Sequence, residues 1–426
     1  MKRFLSGDEA FAEGVRLAKP QVISAYPITP QTVVVERLSE MVEEGSLKAE
    51  YVHVESEHSA LSCAMGASAT GARTFTATSS QGLLYMAEVL TYAAGGRFPI
   101  VMMNANRATA LPWNIYGDQR DSLALLDHGW IQAYAENNQE ALDLALMAYA
   151  VAEDPAVLTP FMVNLDGFAL THTYETVDVP AEEDADAFLP PYQATNCFDF
   201  EHPKNIGYSA GPDYNRYFKY YEHRDMLGAF EAIDRVEAHF AECFGRAYTG
   251  PVVAVSCDDA EAILVTLGSI AGLARESVAR LREQGKRVGL LRIRYMRPFP
   301  AKLIAEALAG AAAVGVLEKD ISFGAEGTVF TNVNSALQQA GCMVPTFNFI
   351  GDLGGDDNAS AQMDAMFDAL LDSVGERGRD DAAAGRSCDD ASTGQGAGLG
   401  RVSFLGIDFS VASQPACGDD CEEGAR

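Results

Sequence analysis

Clustered cysteines are missing from this chain of 426 residues. Its eight cysteines are scattered, none forms a C-x2-C pair, and the close pair of Cys417 and Cys421 lies in an acidic tail. Because zinc and iron–sulfur sites need thiolates that lie close together, we expect the chain to bind no cluster. A disulfide framework is not expected either, since disulfides are rare in large cytoplasmic proteins.

Basic charge and long apolar runs are also scarce. The formal net charge of −29 argues against nucleic acid or an anionic membrane as a partner. No uncharged apolar run approaches the ~20 residues that span a bilayer. The start of the chain, MKRFLSGDEAF, has too short an apolar stretch for a secretory signal. We therefore expect a cytoplasmic protein, and the 48% of hydrophobic residues predict a sizeable core.

A dinucleotide fingerprint is missing too, although TLGSIAGLA suggests one. Gly268 and Gly272 follow a predicted strand and begin a predicted helix. The fingerprint requires G-x-G-x-x-G so that the backbone can approach a pyrophosphate, and this segment does not have that spacing. Close packing between the strand and the helix is the better explanation of these glycines.

What the sequence does contain is an alternation of strand and helix patterns. The apolar runs are QVISAYPI, EYVHVE, ARTFTATS, FPIVMMNAN, GWIQAYAE and PFMVNLD, and helical patterns such as TPQTVVVERLSEMVEE lie between them. This alternation predicts a parallel α/β sheet. We assign residues 1–248 to this first domain, including a long irregular surface connection at 176–215 that is rich in Pro, Asp, Tyr and Asn.

A second unit of alternating strands and helices begins near Gly250. The segments from AILVTL to VPTFNFIGD predict a compact α/β domain at 249–375. Residues 376–426 predict a flexible acidic tail, because its first part has few apolar side chains. Within that tail, the apolar segment RVSFLGIDFSVA at 401–412 is predicted to dock back as a strand.

The segment SAYPITPQT follows the first predicted strand of the parallel sheet. Pro27 and Pro30 bias the residues before them, Tyr26 and Thr29, to extended backbone. Such a segment is either a rigid connecting loop or a shelf that presents the Thr29 hydroxyl group to a site.

Two charged residues follow later strands. Glu57 is either a helix-start acid favoured by the helix dipole or a carboxylate held in a deep apolar site for acid–base chemistry. Arg107, in NANRATALPWN, lies just past the end of a strand, where open α/β sheets bind ligands. A surface salt bridge would also explain Arg107.

Eight segments occur in the order AYPITPQT, ESEHSA, GARTFTATSSQGLLYMAE, NRA, GDQRDS, GWIQAYAENNQEALD, LDGFALTHT and RYMRPFP. Together they resemble the alpha-subunit family of the several-subunit pyruvate:ferredoxin oxidoreductases, which are thiamine-diphosphate enzymes. The resemblance covers most of residues 1–375, and SFLGID is similar to the usual ending of the family. It implies a pyrimidine-type thiamine-diphosphate-binding domain followed by a domain with the transketolase C-terminal fold.

The resemblance implies roles for three residues. Glu57 matches the carboxylate that hydrogen-bonds N1′ of the cofactor's aminopyrimidine. Thr29 matches a hydroxyl in the cofactor site that hydrogen-bonds the substrate near its reacting carbonyl group. Arg107 matches the cation that pairs with the carboxylate of the 2-oxoacid.

The resemblance also implies partner subunits. Thiamine enzymes usually hold the diphosphate and its metal ion with a GDG sequence, and Gly117–Asp118–Gln119 and Gly351–Asp352–Leu353 both lack the second glycine. The diphosphate half of the site, Mg²⁺ and the iron–sulfur clusters are therefore expected on beta, gamma and delta subunits, with ferredoxin as the electron acceptor.

The implied reaction is the reversible, coenzyme A-dependent oxidative decarboxylation of pyruvate to acetyl-CoA and CO₂. Two alternatives remain open at this point. One is the same reaction on a branched-chain 2-oxoacid such as 2-ketoisovalerate. The other is a non-catalytic scaffold with the thiamine fold.

Overall fold

A computed structural model describes residues 1–203, 205–207, 209–380 and 402–406 of the chain. The first part contains β1 (Lys2–Ser6), α1 (Gly7–Ala18), β2 (Val22–Ala25), α2 (Thr32–Glu43), β3 (Glu50–His53), α3 (Glu57–Ala69), β4 (Thr74–Thr78), α4 (Ser80–Tyr85), α5 (Ala87–Gly95), β5 (Val101–Asn106), α6 (Arg120–Leu123), β6 (Ile131–Tyr134), α7 (Asn138–Ala152) and β7 (Phe161–Asp166). They are followed by β8 (Tyr174–Asp178), α8 (Glu182–Phe188) and α9 (Pro212–Phe244). The second part contains β9 (Val252–Val255), β10 (Ala262–Leu267), α10 (Ile270–Glu283), β11 (Val288–Ile293), β12 (Tyr295–Arg297), α11 (Ala301–Leu308), β13 (Ala313–Glu318), α12 (Thr328–Gln339), β14 (Thr346–Ile350), α13 (Asn358–Ala361), α14 (Met363–Asp380) and β15 (Val402–Phe404).

The first sheet has seven strands in the order β12-β6-β7-β5-β4-β2-β3. All neighbours are parallel except β12 and β6. Helices α1, α2 and α7 cover one face, and α3, α4 and α5 cover the other. Because both faces are covered, every residue of β4, β5 and β7 is buried. The predicted parallel α/β organisation and its six predicted strands are confirmed.

The second sheet has six strands in the order β15-β14-β13-β10-β11-β9. The pairs from β15 to β11 are parallel, and β9 is antiparallel to β11. Helices α10 and α14 pack on one face, and α11 and α12 pack on the other. The second half of the chain therefore has the α/β organisation that its sequence predicts.

The two sheets are connected by the backbone that runs from β11 to β12. These strands are separated by Arg294 alone, and β12 leaves the second sheet to pair antiparallel with β6, Tyr295 opposite Ala133. The edge strand β12 of the first sheet therefore belongs, by sequence, to the second predicted domain, which begins at residue 249. The sequence did not indicate this exchange, because RIRYMRPFP follows its own strand with no change of pattern.

The predicted irregular connection at 176–215 is more ordered than we expected. Its start belongs to β8, which pairs antiparallel with β1, and α8 and the first turn of α9 also lie within it. The pairing of β1 with β8 joins residues far apart in the sequence, so local patterns did not reveal it. Residues 189–203 contain no helix or strand.

The predicted tail boundary at residue 376 falls within α14, which continues to Asp380. Within the predicted docked strand at 401–412, β15 pairs with β14 from Asn348 opposite Val402 to Ile350 opposite Phe404. Residues 381–401 and 407–426 lie outside the described residues. No helix among the described residues combines the length and the apolar character needed to cross a bilayer.

A buried ion cluster joins α7 and α9 to β11. Glu140 of α7 accepts hydrogen bonds from Arg292 and from Arg294, whose Nε lies 2.8 Å from Glu140 Oε1. Arg294 also donates to Glu237 of α9, and each of these four side chains is buried. Burial alone would raise the pKa of Glu140, but the two guanidinium groups lower it to about 2. The cluster fixes the second sheet's strand against two helices of the first domain.

We expect Glu140→Ala to lower the free energy of unfolding by about 3–5 kcal/mol, because it leaves two guanidinium groups buried without their carboxylate. Urea unfolding followed by circular dichroism measures the change. Glu40→Ala is the matched control: its exposed pair with Arg37, 2.6 Å apart, should contribute about 0–1 kcal/mol. Equal losses in the two variants would contradict the structural importance of the cluster.

Candidate active site

The three residues singled out in the sequence lie at one edge of the first sheet. Thr29 follows β2, Arg107 directly follows β5, and Glu57 begins the helix that follows β3. Parallel strands end at the same edge of a sheet, so the segments that follow them converge there. The Arg107 Nη1 atom donates to the carbonyl oxygen of Thr29 at 2.8 Å. Burial lowers the pKa of Arg107, while the charges of Asp121 and Glu57 raise it.

Glu57 is a buried carboxylate without a hydrogen-bond partner among the described residues. It is the first residue of α3, but the cap of that helix is Ser56, whose hydroxyl accepts from the N–H of Ser59 at 3.1 Å. The Glu57 side chain lies against Gly82, where an added Cβ would be 2.7 Å from Glu57 Oε1. The helix start therefore does not need Glu57 as its cap, and glycine at position 82 leaves the space that this carboxylate occupies.

Arg107 is a buried guanidinium that makes no ion pair with any described residue. Besides Thr29, its Nη2 contacts Gln81 Oε1 at 3.4 Å, and its Nε is buried without a partner among the described residues. Its Cζ lies 6.0 Å from the centre of the exposed Trp113 ring. The surface salt bridge that we considered for this residue is therefore not formed, and the guanidinium retains donors for an anion.

The shelf predicted at Tyr26 to Pro30 is held by Gln31. The backbone N–H of Gln31 donates to Ile28 O at 3.0 Å, and its Nε2 donates to Tyr26 O at 3.0 Å. Gln31 is fully buried, whereas the side chain of Thr29 is exposed. The two hydrogen bonds of the buried Gln31 thus fix the turn, and Thr29 lies exposed at the surface of the candidate site.

Gln81, Trp113 and Gln31 were not assigned any role from the sequence. Gln81 lies within the segment GARTFTATSSQGLLYMAE, and nothing in the local pattern places it near Arg107. The contact becomes visible only when β4 and β5 are adjacent in the sheet, with Thr78 opposite Asn104.

Two helix N-termini of the second domain are occupied by carboxylates of the chain itself. At α10, Asp166 Oδ2 accepts from the N–H of Ser269 at 2.8 Å, next to Gly268 with φ +74°. At α12, Glu318 Oε2 accepts from the N–H of Val329 at 2.7 Å. Such N-termini attract phosphate when they are free. The carboxylate of Asp166 takes the place that a phosphate would occupy after TLGS, which supports the packing explanation of Gly268.

Comparison with family models gives two matches in chain order. Residues 13–238 match "Pyruvate flavodoxin/ferredoxin oxidoreductase, thiamine diP-bdg", and residues 260–363 match "Pyruvate:ferredoxin oxidoreductase core domain II". Among curated proteins, the chain is 48% identical over 364 residues to pyruvate synthase subunit PorA of Methanothermobacter thermautotrophicus, covering 85% of this chain and 94% of that protein. It is 43% identical over 367 residues to ketoisovalerate oxidoreductase subunit VorA of Pyrococcus abyssi, covering 86% and 92%.

A solved structure has the same fold. It is a 2-oxoglutarate:ferredoxin oxidoreductase from Magnetococcus marinus with 2-oxoglutarate, coenzyme A and succinyl-CoA bound. The TM-score is 0.67 at 20% sequence identity, over 88% of this chain. This chain spans 65% of the length of that solved chain. Together with the family models, these relatives show that the chain belongs to the pyruvate:ferredoxin oxidoreductase family.

The described residues fit the aminopyrimidine of thiamine diphosphate. The cofactor needs a carboxylate that is shielded from water and free to bond with a ring nitrogen. Glu57 has both properties, because it is 8% exposed and has no hydrogen-bond partner among the described residues.

Gly82→Ala is expected to displace the Glu57 carboxylate, because the added Cβ would lie 2.7 Å from Glu57 Oε1 and 2.6 Å from Thr78 Oγ1. Overpacking of about 1–3 kcal/mol would weaken thiamine diphosphate binding about fivefold or more, measured by calorimetry on the chain assembled with its partners. Gly66→Ala is the control, since its added Cβ would have no atom within 4 Å. Unchanged cofactor affinity in Gly82→Ala would show that Glu57 does not hold the cofactor.

Proposed function

We propose that this chain is the subunit of a ferredoxin-dependent 2-oxoacid oxidoreductase that builds the pyrimidine half of a thiamine diphosphate site. The reaction is the conversion of pyruvate and coenzyme A to acetyl-CoA and CO₂, with an electron pair passing to ferredoxin, and it is reversible. The observation that carries the proposal is that a buried carboxylate, Glu57, and a buried guanidinium, Arg107, lie at the same edge of the first sheet. Neither has an ion-pair partner within 4 Å among the described residues.

Glu57 holds a proton at N1′ of the aminopyrimidine. Thiamine diphosphate supplies, when bound, the carbon nucleophile that attacks the 2-oxo carbon of the substrate. A carboxylate at N1′ favours the cofactor tautomer whose exocyclic nitrogen acts as a base. Burial beside Gly82 keeps water away from this hydrogen bond, which strengthens it.

Arg107 binds the carboxylate of the 2-oxoacid. Nη1 donates to Thr29 O and Nη2 contacts Gln81 Oε1, and each of these two nitrogens carries a second N–H that can bind a carboxylate. Two parallel N–H groups match the two oxygens of a carboxylate. The same contact keeps Thr29 beside this guanidinium, which supports a role for the Thr29 hydroxyl at the 2-oxo group of a substrate bound by Arg107.

The rest of the enzyme comes from beta, gamma and delta subunits. The chain has no GDG sequence for the diphosphate and its Mg²⁺. Among the described residues, no three His, Cys, Asp or Glu side chains converge as a metal site. We therefore assign Mg²⁺, the diphosphate contacts and the iron–sulfur clusters to the partner subunits, in agreement with relatives that are named as subunits.

Pyruvate is favoured over a branched-chain 2-oxoacid as the substrate. The relative named for pyruvate is 48% identical and the one named for ketoisovalerate is 43% identical. A non-catalytic scaffold would have no need for Glu57 and Arg107, and both are present in the geometry described above.

The chain co-purified with its partner subunits should reduce a viologen dye with pyruvate and coenzyme A faster than with 2-ketoisovalerate and coenzyme A.

Glu57→Gln is the sharpest test of this function. Glutamine keeps the size of the side chain but cannot share a proton with N1′, so turnover of the assembled enzyme should fall on the order of 10²-fold or more. Deuterium exchange at C2 of the bound cofactor, read by NMR after acid quench, should slow in parallel. If Glu57 were only a helix-start acid, the change would cost about 0.3–1 kcal/mol of stability and leave exchange at the wild-type rate.

Arg107→Lys should weaken the use of pyruvate more than the binding of the cofactor. An ammonium group cannot form the two parallel hydrogen bonds of a guanidinium, so we expect KM for pyruvate to rise about tenfold or more. Steady-state kinetics and thiamine diphosphate titration of the same preparation measure the two effects. Equal loss of both affinities would indicate a structural role for Arg107.

A further inference from the structure

A carboxylate with no role in the assignments above lies beneath the site. Asp121, in α6, is fully buried and accepts five N–H hydrogen bonds. Its Oδ2 accepts from the backbone N–H of Ser80 at 3.0 Å and from that of Arg107 at 3.2 Å. The other donors are Asn104 Nδ2, Asn106 Nδ2 and the N–H of Ser122.

One carboxylate oxygen thereby connects two turns that both border the site. The first turn follows β4 and contains Ser80, whose φ of +50° is rarely adopted by residues other than glycine. Two residues further on, Gly82 contacts Glu57. The second turn follows β5 and begins with Arg107. The Ser80 hydroxyl adds a further link by donating to Ala108 O at 2.7 Å.

We propose that Asp121 is a positioning residue that holds the Arg107 guanidinium at a fixed distance from the Glu57 carboxylate by clamping the turns at Ser80 and Arg107. This inference rests on the proposed function of those two residues. Asp121 itself does not touch the substrate, because it is fully buried beneath the backbone of both turns.

The clamp requires both oxygens of a carboxylate. Three donors converge on Oδ2 and two on Oδ1, and an amide would present an NH₂ group to one of these sets. Burial raises the pKa of Asp121 to about 6, and the hydrogen bonds from Asn106 and Ser80 oppose that rise. The group is therefore mainly ionised at neutral pH and acts as an acceptor for all five donors.

Asp121→Asn in the enzyme assembled with its partner subunits tests the proposal. We expect KM for pyruvate to rise about tenfold or more, as for the loss of hydrogen bonds to a charged group, while deuterium exchange at the cofactor C2 changes less than threefold. Independently of activity, amide hydrogen exchange should increase at Ser80 and Arg107, because their N–H groups would face either the NH₂ group of the asparagine or its neutral oxygen, which is a weaker acceptor than a carboxylate.

Asp118→Asn is the matched control. Asp118 is a buried carboxylate three residues before Asp121, and among the described residues its hydrogen bonds go to Arg120, with Nε at 2.8 Å from Oδ2, and to neither of the two turns. It should leave KM for pyruvate and the exchange at Ser80 and Arg107 at wild-type values.

Combination with Arg107→Lys separates positioning from general loss of structure. If Asp121 acts through Arg107, Asp121→Asn should raise KM by less than threefold in the Arg107→Lys background, because the two effects are coupled. Full additivity, or equal effects of Asp118→Asn and Asp121→Asn, would overturn the proposal. If Asp121→Asn prevents assembly, Asn106→Ala replaces it, since it removes a 2.8 Å bond to Asp121 and should raise KM about threefold.

Failure of this inference can be told apart from failure of the proposed function. A wild-type complex without pyruvate-dependent turnover or C2 exchange would refute the function. A wild-type complex that is active and sensitive to Arg107→Lys, but unaffected in KM by Asp121→Asn, would refute the positioning role alone.

Discussion

The contact of Glu140 with Arg292 and Arg294 determines how the two sheets of this protein are arranged. Buried ion clusters contribute little net stability compared with apolar residues of the same volume, but removing one member is costly. Their value here is geometric. With Arg292 and Arg294 fixed against α7, the backbone after β11 is held where β12 can join the first sheet beside β6. The second domain is thereby held by both side chains and main chain.

The same arrangement places a carboxylate of the first domain at the N-terminus of α10. Asp166, at the end of β7, reaches Ser269 at the start of α10, and Lys319 lies 3.6 Å from the same carboxylate. The anion that such a helix attracts is therefore a side chain of the neighbouring domain. What would be a ligand site in an isolated α/β domain serves here as a contact between domains.

Much of the fold could be predicted because its strands are buried on both faces. Runs such as FPIVMMNAN contain few charges, so their position in a parallel sheet is evident from the sequence alone. The strands β1, β8, β12 and β15 are short and sit at sheet edges or in the two-stranded sheet, and their partners are distant in the chain. No local pattern encodes such pairings, which is why residues 176–188 were taken for an irregular connection.

For the candidate site, the charged residues could be predicted from the sequence, whereas the residues that hold them in position were found only in the structure. Glu57, Thr29 and Arg107 were found through motifs, and the structure brings them to one sheet edge. Gln31, Gly82 and Asp121 could not be assigned in the same way, because their importance lies in contacts between separate segments. Asp121 is one of the two acids in GDQRDS, and its five donors come from β5, from the residues that follow β4 and β5, and from its own helix.

The position of β15 has a consequence for the order in which the protein is made. Strand β14 ends at Ile350, and the residues that cover its outer edge begin only at Val402. At the usual rates of synthesis of about 5–20 residues per second, the edge of β14 stays unpaired on the ribosome for about 3–10 s. An open strand edge is a template for pairing with other chains. The nascent chain therefore passes through an interval in which its second sheet can pair with a neighbouring copy, and completion of β15 ends that interval.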